Sequence, residues 1–397
     1  MSTSQQFNNH QVDGQQLRLL QNGTEYFPQL CADIDAAQHS IYLETYIFNA
    51  DETGRMVADA LQRAAARGVV VRVLLDGYGS AELPQSWLEE LREARVEVLW
   101  FRREISPFTL SRSRMRRLRR LHRKLAVMDG EVAFVGGINI INDVPENDGS
   151  SFPRLDYAVR VQGVMAGEIH VAMRQLWGLV SWANFRRRGK ELKRFLLNKA
   201  TRAATPNITL LLRDNFRHRH DIESAYLKAI AGAQREVIIA NAYFLPGRVF
   251  RLALIEVAQR GVRVVLLLQG RVEYRIQHYA THALYDQLLA GGIEIYEYQP
   301  SYLHAKVAVV DGQWATVGSS NIDPYSLLLA REANLGVQDA GFAGELRANL
   351  LDAIANEAVR VGDGYGVQRS WMNRLVANIS YLIVRLLIGL LGYGSSA

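Results

Sequence analysis

Cysteine is nearly absent from this chain: Cys31 stands alone in 397 residues. An intrachain disulfide is therefore excluded, and the usage fits a reducing compartment. The opening residues, Met-Ser-Thr-Ser-Gln-Gln-Phe-Asn-Asn-His, lack the basic-then-apolar pattern of a secretory signal, so the bulk of the chain is expected in the cytoplasm. Outside the motif described below, no residues have the spacing of a metal site, so neither a metal nor another cofactor is expected. An uninterrupted membrane-spanning run is also missing. The apolar stretch from Leu375 to Leu391 is broken by Asn378, Ser380 and Arg385, and an arginine at the centre of a span costs roughly 2.5 to 3.5 kcal/mol. An amphipathic helix lying in a membrane interface, with Arg385 snorkelling and Trp371, Arg374 and Tyr393 at its flanks, fits better than a span. Packing on the core is the other alternative.

Positive charge and apolar content are plentiful. Hydrophobic residues make up 49% of the chain, enough for a large core, and the length suggests two or three domains. The net charge is +6, and the excess is clustered. One run holds Arg112, Arg114, Arg116, Arg117, Arg119, Arg120, Arg123 and Lys124; another holds Arg186, Arg187, Arg188, Lys190, Lys193 and Arg194. Such runs either are solvated helix faces or attract anionic surfaces, at roughly 1 kcal/mol per basic residue near an anionic bilayer. The first run leads straight into a reactive motif, which favours anion attraction there.

That motif occurs twice. His122, Lys124, Asp129, Gly136, Gly137 and Asn139 recur with identical spacing as His304, Lys306, Asp311, Gly318, Ser319 and Asn321, about half a chain later. Lys-Leu-Ala-Val-Met-Asp-Gly and Lys-Val-Ala-Val-Val-Asp-Gly are β-rich and end in a strong hairpin-turn dipeptide. Side chains two apart on a strand share a face, so each histidine and its lysine project together. Two facing hairpins would supply two imidazoles and two ammonium groups, with Asn139, Asn321 and Ser319 as neutral donors to phosphate oxygens. This set suits phosphodiester chemistry: one neutral imidazole attacks phosphorus, the other, protonated, gives a proton to the departing oxygen, and the cations stabilise the transition state. Asp156 and Glu332, on strand-like segments after each motif, are the candidate groups for orienting the histidines. Asp129 and Asp311 have two readings, turn residues or direct participants.

The repeat extends beyond the motif. Strand-like Ile41 to Phe48 matches Val237 to Phe244; helical patterns end at Arg67-Gly68 and Arg260-Gly261; the apolar runs Val69 to Leu75 and Val262 to Leu268 read as buried parallel strands. Val96 to Phe101 and Ile293 to Tyr298 follow in the same order. The expected fold is α/β: two similar domains, each a mixed sheet with helices on both faces, related by a pseudo-two-fold axis with one shared active site. Boundaries fall at 1–188 for the first domain, 189–206 for a basic linker, 207–369 for the second domain and 370–397 for an amphipathic tail. Glu44, charged within an apolar strand, is either at the site rim or a buried structural partner. Asn241 in the second half is one register off, so the sheets are similar rather than identical. The stretch Val171 to Trp182 reads as membrane-facing or core, and the role of the loop from Pro145 to Pro153 is not legible.

The doubled motif resembles that of the phospholipase D superfamily. Leu-Leu-Asp-Gly-Tyr-Gly-Ser (74 to 80), Ala-Asn-Ala-Tyr-Phe-Leu-Pro-Gly (240 to 247) and Ala-Thr-Val-Gly-Ser-Ser-Asn-Ile-Asp-Pro (315 to 324) look like bacterial cardiolipin synthases. The B-type family is the nearer, since two N-terminal spans of the A-type form are not seen. The resemblance implies a metal-independent phosphatidyl transferase that joins two phosphatidylglycerols into cardiolipin, releasing glycerol through a phosphatidyl-histidine intermediate. It also implies a peripheral place on the cytoplasmic side of the bacterial inner membrane, against an anionic lipid surface. It carries catalytic roles to His122, Lys124, His304 and Lys306, with Asp129 and Asp311 as motif members and His122 as the attacker. Gly137 departs from the usual serine, which removes a hydroxyl donor from the first half. Alternatives are a phospholipase D or other phosphatidyl transferase, a nuclease, or a non-catalytic anionic-lipid binder. Nucleic acid is disfavoured because the terminal amphipathic segment has no use in a soluble nuclease. The sequence assigns no oligomeric state.

Overall fold

The computed structural model describes residues 8–102, 120–145, 151–185, 205–214, 218–323, 326, 330–362 and 371–388. Most of both basic runs and part of the loop after Pro145 therefore lie outside the described residues. The first half begins with β1 (His10–Val12), β2 (Gln15–Gln21) and α1 (Asn22–Ala36), then β3 (Ser40–Thr45), α2 (Glu52–Ala66), β4 (Val70–Asp76), α3 (Gln85–Glu93) and β5 (Glu97–Phe101). The motif hairpin β6 (Lys124–Met128) and β7 (Val132–Gly136) follows, then β8 (Tyr157–Gln162) and α4 (Val164–Phe185). The second half repeats the plan with β9 (Ile208–Arg213), α5 (Asp221–Gly232), β10 (Glu236–Asn241), α6 (Arg248–Gln259), β11 (Arg263–Gln269), α7 (Arg275–Ala290) and β12 (Glu294–Tyr298). It closes with the hairpin β13 (Lys306–Val310) and β14 (Trp314–Gly318), then β15 (Glu332–Gln338), α8 (Ala340–Glu357), β16 (Ala358–Arg360) and α9 (Trp371–Ile388).

Two eight-stranded sheets result, ordered β1-β2-β8-β7-β6-β3-β4-β5 and β16-β12-β11-β10-β13-β14-β15-β9. Read in opposite directions, seven strands of each follow one plan, with β1 and β16 as additions at opposite ends. The apolar runs are parallel strands as expected, β4 between β3 and β5, β11 between β10 and β12. The hairpins are antiparallel. Both crossover helices stop where the Arg-Gly pairs predict. Gly68 and Gly261 each adopt φ of 91°, the left-handed conformation that lets the next residue turn back and bond into the helix end. Val69 N–H does so on Ala64 O, and Val262 N–H on Val257 O.

Three hydrophobic clusters set the layering. One lies outside the first sheet under α1, α2 and α3. Another lies outside the second under α5, α6 and α7. The third is shared: inner faces of both sheets pack with Met165, Ile169, Met173 and Trp177 of α4 and Phe342, Leu346 and Leu350 of α8. Neither half closes its inner face alone. Val171 to Trp182 thus lies in α4, with Trp177 in this core and Trp182 46% exposed.

Register resolves two open readings. Ile41 pairs with Met128 and Val237 with Val310, so Asn241 is the counterpart of Thr45, and Glu44 the counterpart of Ala240. No slip is involved. Glu44 is buried, and Arg123 holds it through paired bonds of 2.8 and 2.9 Å. It is a structural partner, and Arg123, expected in an anion-attracting run, is internal. At the matching positions of the second half Ala240 and Ala305 replace both charges. Burial still raises the Glu44 pKa against the opposing pull of Arg123, so a lone carboxylate there would be costly.

Arg123→Ala is expected to cost about 3 to 5 kcal/mol of stability by stranding Glu44. The double Glu44→Ala, Arg123→Ala chain, which copies the second half, should lose less than the single variant. Denaturant unfolding of the three chains measures this; a double variant less stable than Arg123→Ala would refute it.

Candidate active site

The site is built where the segments leading into strands of one half meet, in parallel, those leading into strands of the other. Leu121 forms a parallel bridge with Arg331, and Leu155 with Leu303. His122 N–H donates to Arg331 O at 3.0 Å, and His304 N–H to Leu155 O at 2.8 Å. In parallel register the next residues along both chains are also neighbours, which sets His122 beside Glu332 and His304 beside Asp156. His122 Nδ1 lies 3.0 and 3.1 Å from the two Glu332 oxygens. His304 Nδ1 lies 2.6 Å from Asp156 Oδ2. Both carboxylates expected to orient the histidines meet them, and they do so crosswise, each serving the histidine of the other half.

With each Nδ1–H donated to a carboxylate, each Nε2 is left as the reactive nitrogen. The imidazoles keep 17% and 20% exposure; Lys124 and Lys306 are buried beside them. Lys124 Nζ donates to His122 O at 2.8 Å, Lys306 Nζ donates to His304 O, and Lys306 Nζ is 3.9 Å from Asp156. The Tyr46 ring packs edge-on against His122, with centroids 5.0 Å apart.

Burial dominates the electrostatics. It pushes Lys124 down to about 7 and Lys306 down to about 8, Glu332 and Asp156 respectively opposing the shift. Desolvation holds both imidazoles below the usual histidine range, and the neighbouring lysines push His304 further down. The same burial raises Asp156 to about 6 despite Lys306. A cluster this rich in loosely held protons is balanced for an incoming anion, whose charge would return protons to the lysines and to one imidazole.

Other expected residues fall elsewhere. Asp129 and Asp311 sit in the hairpin turns at the far end of β6 and β13, with φ of 55° and 54°. Asp129 accepts from Gln38, His39 and Ser40 N–H, and Asp311 from Gln234, Arg235 and Glu236 N–H. Burial is the largest single influence and would raise these carboxyls, but the three backbone donors on each together outweigh it and hold them low. The placement corrects direct participation: these aspartates lock the hairpin to the start of β3 or β10. Ser319 is also displaced from its expected phosphate role. Its hydroxyl donates to Glu332 at 2.6 Å and accepts from Ala333 N–H at 3.0 Å. At the matching position of the first half, a Cβ on Gly137 would lie 2.3 Å from Asp156 Oδ1, so the missing hydroxyl is a donor lost to Asp156. Asn139 accepts from Ile47 N–H at 3.2 Å, whereas Asn321 Oδ1 is buried with no partner.

Two positioning residues escaped the sequence reading. Asp76 accepts from Leu121 N–H at 2.8 Å, and Gln269 from Leu303 N–H at 2.7 Å, so each fixes the residue before a motif histidine. A polar residue followed by glycine at the carboxyl end of a buried parallel strand was the available signal. Among the described residues, no group of three or more His, Cys, Asp or Glu is arranged to hold a metal ion.

A two-sheet α/β fold with a duplicated His-Lys motif at one interface defines a phospholipase D-like protein. The family described as "Cardiolipin synthase, PLD-like domain" matches residues 30–145 and 226–353. The chain is 39% identical to cardiolipin synthase B of Shigella flexneri and 38% identical to that of Escherichia coli K12, in both cases over 96% of this chain and 90% of the relative. It is 30% identical to a cardiolipin synthase of Geobacillus kaustophilus over 94% of this chain and 72% of the relative. In fold it is similar to phosphatidylserine synthase of Haemophilus influenzae, at a TM-score of 0.69 and 14% identity, covering 98% of this chain and 96% of that one. The chain belongs to the cardiolipin synthase family of phospholipase D-like enzymes.

The titrations predict a bell-shaped kcat/KM. As pH falls through about 6, Asp156 protonates and releases His304; as pH rises through about 7 to 8, the lysines lose the charge that stabilises the transition state. Bound phosphodiester raises the lysine pKa values, so the alkaline limb of kcat should lie at higher pH than that of kcat/KM. Initial rates on a detergent-dispersed phosphodiester from about pH 5 to 10 read both limbs; a kcat/KM that stays flat above about pH 8 would count against titrating lysines.

Proposed function

We propose that the chain transfers a phosphatidyl group from one phosphatidylglycerol to the hydroxyl of a second, forming cardiolipin and glycerol. The observation that carries this is the pair of imidazoles, each anchored through Nδ1 on the opposite half and each presenting Nε2 to a site with two lysines. In the first step the Nε2 lone pair of His122 attacks phosphorus, the bond from phosphorus to the glycerol oxygen breaks, and His304 Nε2–H gives that oxygen its proton. In the second, His304 takes a proton from the acceptor hydroxyl, the new oxygen–phosphorus bond forms, and the bond to His122 breaks. Ser319 supports this order, because its hydroxyl bond fixes Glu332 in place behind the nucleophile. Lys124, Lys306, Asn139 and Asn321 supply charge and donors for the phosphoryl oxygens.

A lipid substrate requires approach to a bilayer, and α9 suits that. No helix among the described residues is long and apolar enough to cross a membrane. Ala377, Ser380 and Val384 form a narrow buried stripe, and the helix packs on α7. Leu375, Ile379, Leu382, Ile383 and Leu386 remain exposed, Leu382 by 59% and Leu386 by 63%. One helix thus combines core docking with an uncovered apolar face, the form expected of a segment lying in a membrane interface.

Purified protein incubated with phosphatidylglycerol vesicles is expected to yield cardiolipin and glycerol. His122→Ala and His304→Ala should each lower the rate by at least about a hundredfold while the chain still folds, with some loss of stability because Glu332 or Asp156 loses its partner. Phosphatidic acid as the sole lipid product would instead indicate a hydrolase, and normal turnover in either variant would end the two-histidine scheme. Replacing Leu375, Ile379 and Leu386 by serine should reduce recovery on anionic liposomes by at least about tenfold, while turnover of detergent-dispersed lipid changes less. Undiminished liposome recovery would remove α9 as the membrane contact.

A further inference from the structure

The two halves differ at one position that matters for what binds beside each histidine. Tyr46 follows Thr45 and lays its ring against His122. Its counterpart is Ala242, which follows Asn241, and Ala242 N–H donates to Ala305 O at 3.0 Å. Where the first half has a phenol, the second has alanine, and beside it lies a small recess lined among others by Ala242, Tyr243, Gln269, Glu273, Tyr274 and His278. Gln269 ties this pocket to the motif through Leu303 N–H at 2.7 Å, and its Nε2 is buried without a partner. The Tyr243 hydroxyl donates to Glu273.

We infer that this pocket receives the polyol headgroup of the lipid alcohol, with Glu273, Tyr243 and Gln269 as hydroxyl partners and His304 as the group that exchanges its proton. The inference rests on the proposed transfer reaction and deepens it. Leaving and attacking alcohols occupy the same side of phosphorus in a double displacement, opposite the histidine that carries the intermediate. A headgroup recess beside Ala242, at the position where the first half sets Tyr46 against His122, suits such a sequence. A carboxylate is suited to glycerol hydroxyls and repels phosphate, which keeps the phosphoryl group among the lysines. Val272, Tyr274 and Ile276 are exposed around Glu273, by 49%, 58% and 54%. A polar pocket rimmed by uncovered apolar side chains fits a headgroup whose acyl chains stay in lipid.

The test uses the full chain with a detergent-dispersed phosphatidyl p-nitrophenyl ester, whose leaving group carries no polyol hydroxyls for the pocket to bind, and adds glycerol or methanol to compete with water. Phosphatidylglycerol, phosphatidylmethanol and phosphatidic acid are then quantified. In Glu273→Gln, and in Ala242→Tyr, which copies the first half, the glycerol-to-water product ratio should fall at least about tenfold. The methanol-to-water ratio should move less than about twofold, because methanol is too small to reach Glu273. Each ratio is internal to its variant, so reduced turnover does not obscure it. Glycerol and methanol ratios that fall together, or a glycerol ratio unchanged in both variants, would overturn the pocket assignment. If the parent chain makes no cardiolipin from phosphatidylglycerol, the transfer reading fails instead, and the glycerol ratio still reports on the pocket.

Discussion

The crossed histidine–carboxylate pairs are the constraint on which the remaining architecture turns. Each motif hairpin carries a histidine whose orienting carboxylate belongs to the other half, and the bridges at Leu121 to Arg331 and Leu155 to Leu303 set both pairs in register. A half taken alone would leave Glu332 or Asp156 buried without its imidazole, at the cost of an unpaired buried charge. The shared central core has the same logic in apolar form, since α4 and α8 seal both sheets at once. Catalytic geometry and folding are therefore one problem: whatever separates the sheets also releases the histidines.

Much of this was legible because the sequence is duplicated. Identical spacing fixed the hairpins, and the Asp-Gly turns, Arg-Gly helix ends and apolar runs each have a local physical cause that survives in the fold. Asp156 and Glu332 were recognisable as carboxylates on strands following each motif. Their crosswise assignment was not, because it depends on a parallel bridge between segments far apart in sequence. Asp129 and Asp311 misled for a related reason. An aspartate repeated at fixed distance from a histidine looks like part of the chemistry, yet its three backbone N–H partners come from the chain entering β3 or β10. Ser319 and Arg123 likewise carry the residue types of an anion site, and both are held by carboxylates the one-dimensional pattern could not place beside them.

Departures from symmetry carry more functional information than the symmetry itself. Duplicated chemistry supplies two equivalent histidines; a transferase needs one to hold phosphorus and one to handle protons. Gly137 against Ser319 makes the two carboxylates unequal, since Glu332 gains a hydroxyl donor and Asp156 does not. Asp156, raised to about 6 by burial, lacks that hydroxyl donor, and a carboxyl that titrates near neutrality suits a histidine cycling between proton donor and acceptor. The charged pair Glu44 and Arg123 against Ala240 and Ala305 is a third difference, placed beside the histidine assigned to nucleophilic attack.

These asymmetries point the same way and are physically linked. Arg123 lies between His122 and Lys124 in sequence, and its paired bonds to Glu44 tie the end of β3 to the start of β6. Tyr46, two residues beyond Glu44, packs edge-on against His122. A histidine that becomes covalently attached to a lipid phosphate benefits from a rigid, enclosed setting, because movement of the ring would misalign phosphorus for the second displacement. The second half has alanines at all three matching positions, Ala240, Ala242 and Ala305, and so has smaller side chains on the side of His304, the one that the proposed transfer gives to the alcohols. On the proposed reaction, these substitutions set the bulkier, charge-tied surroundings at the histidine that holds phosphorus and the smaller ones at the histidine that handles protons.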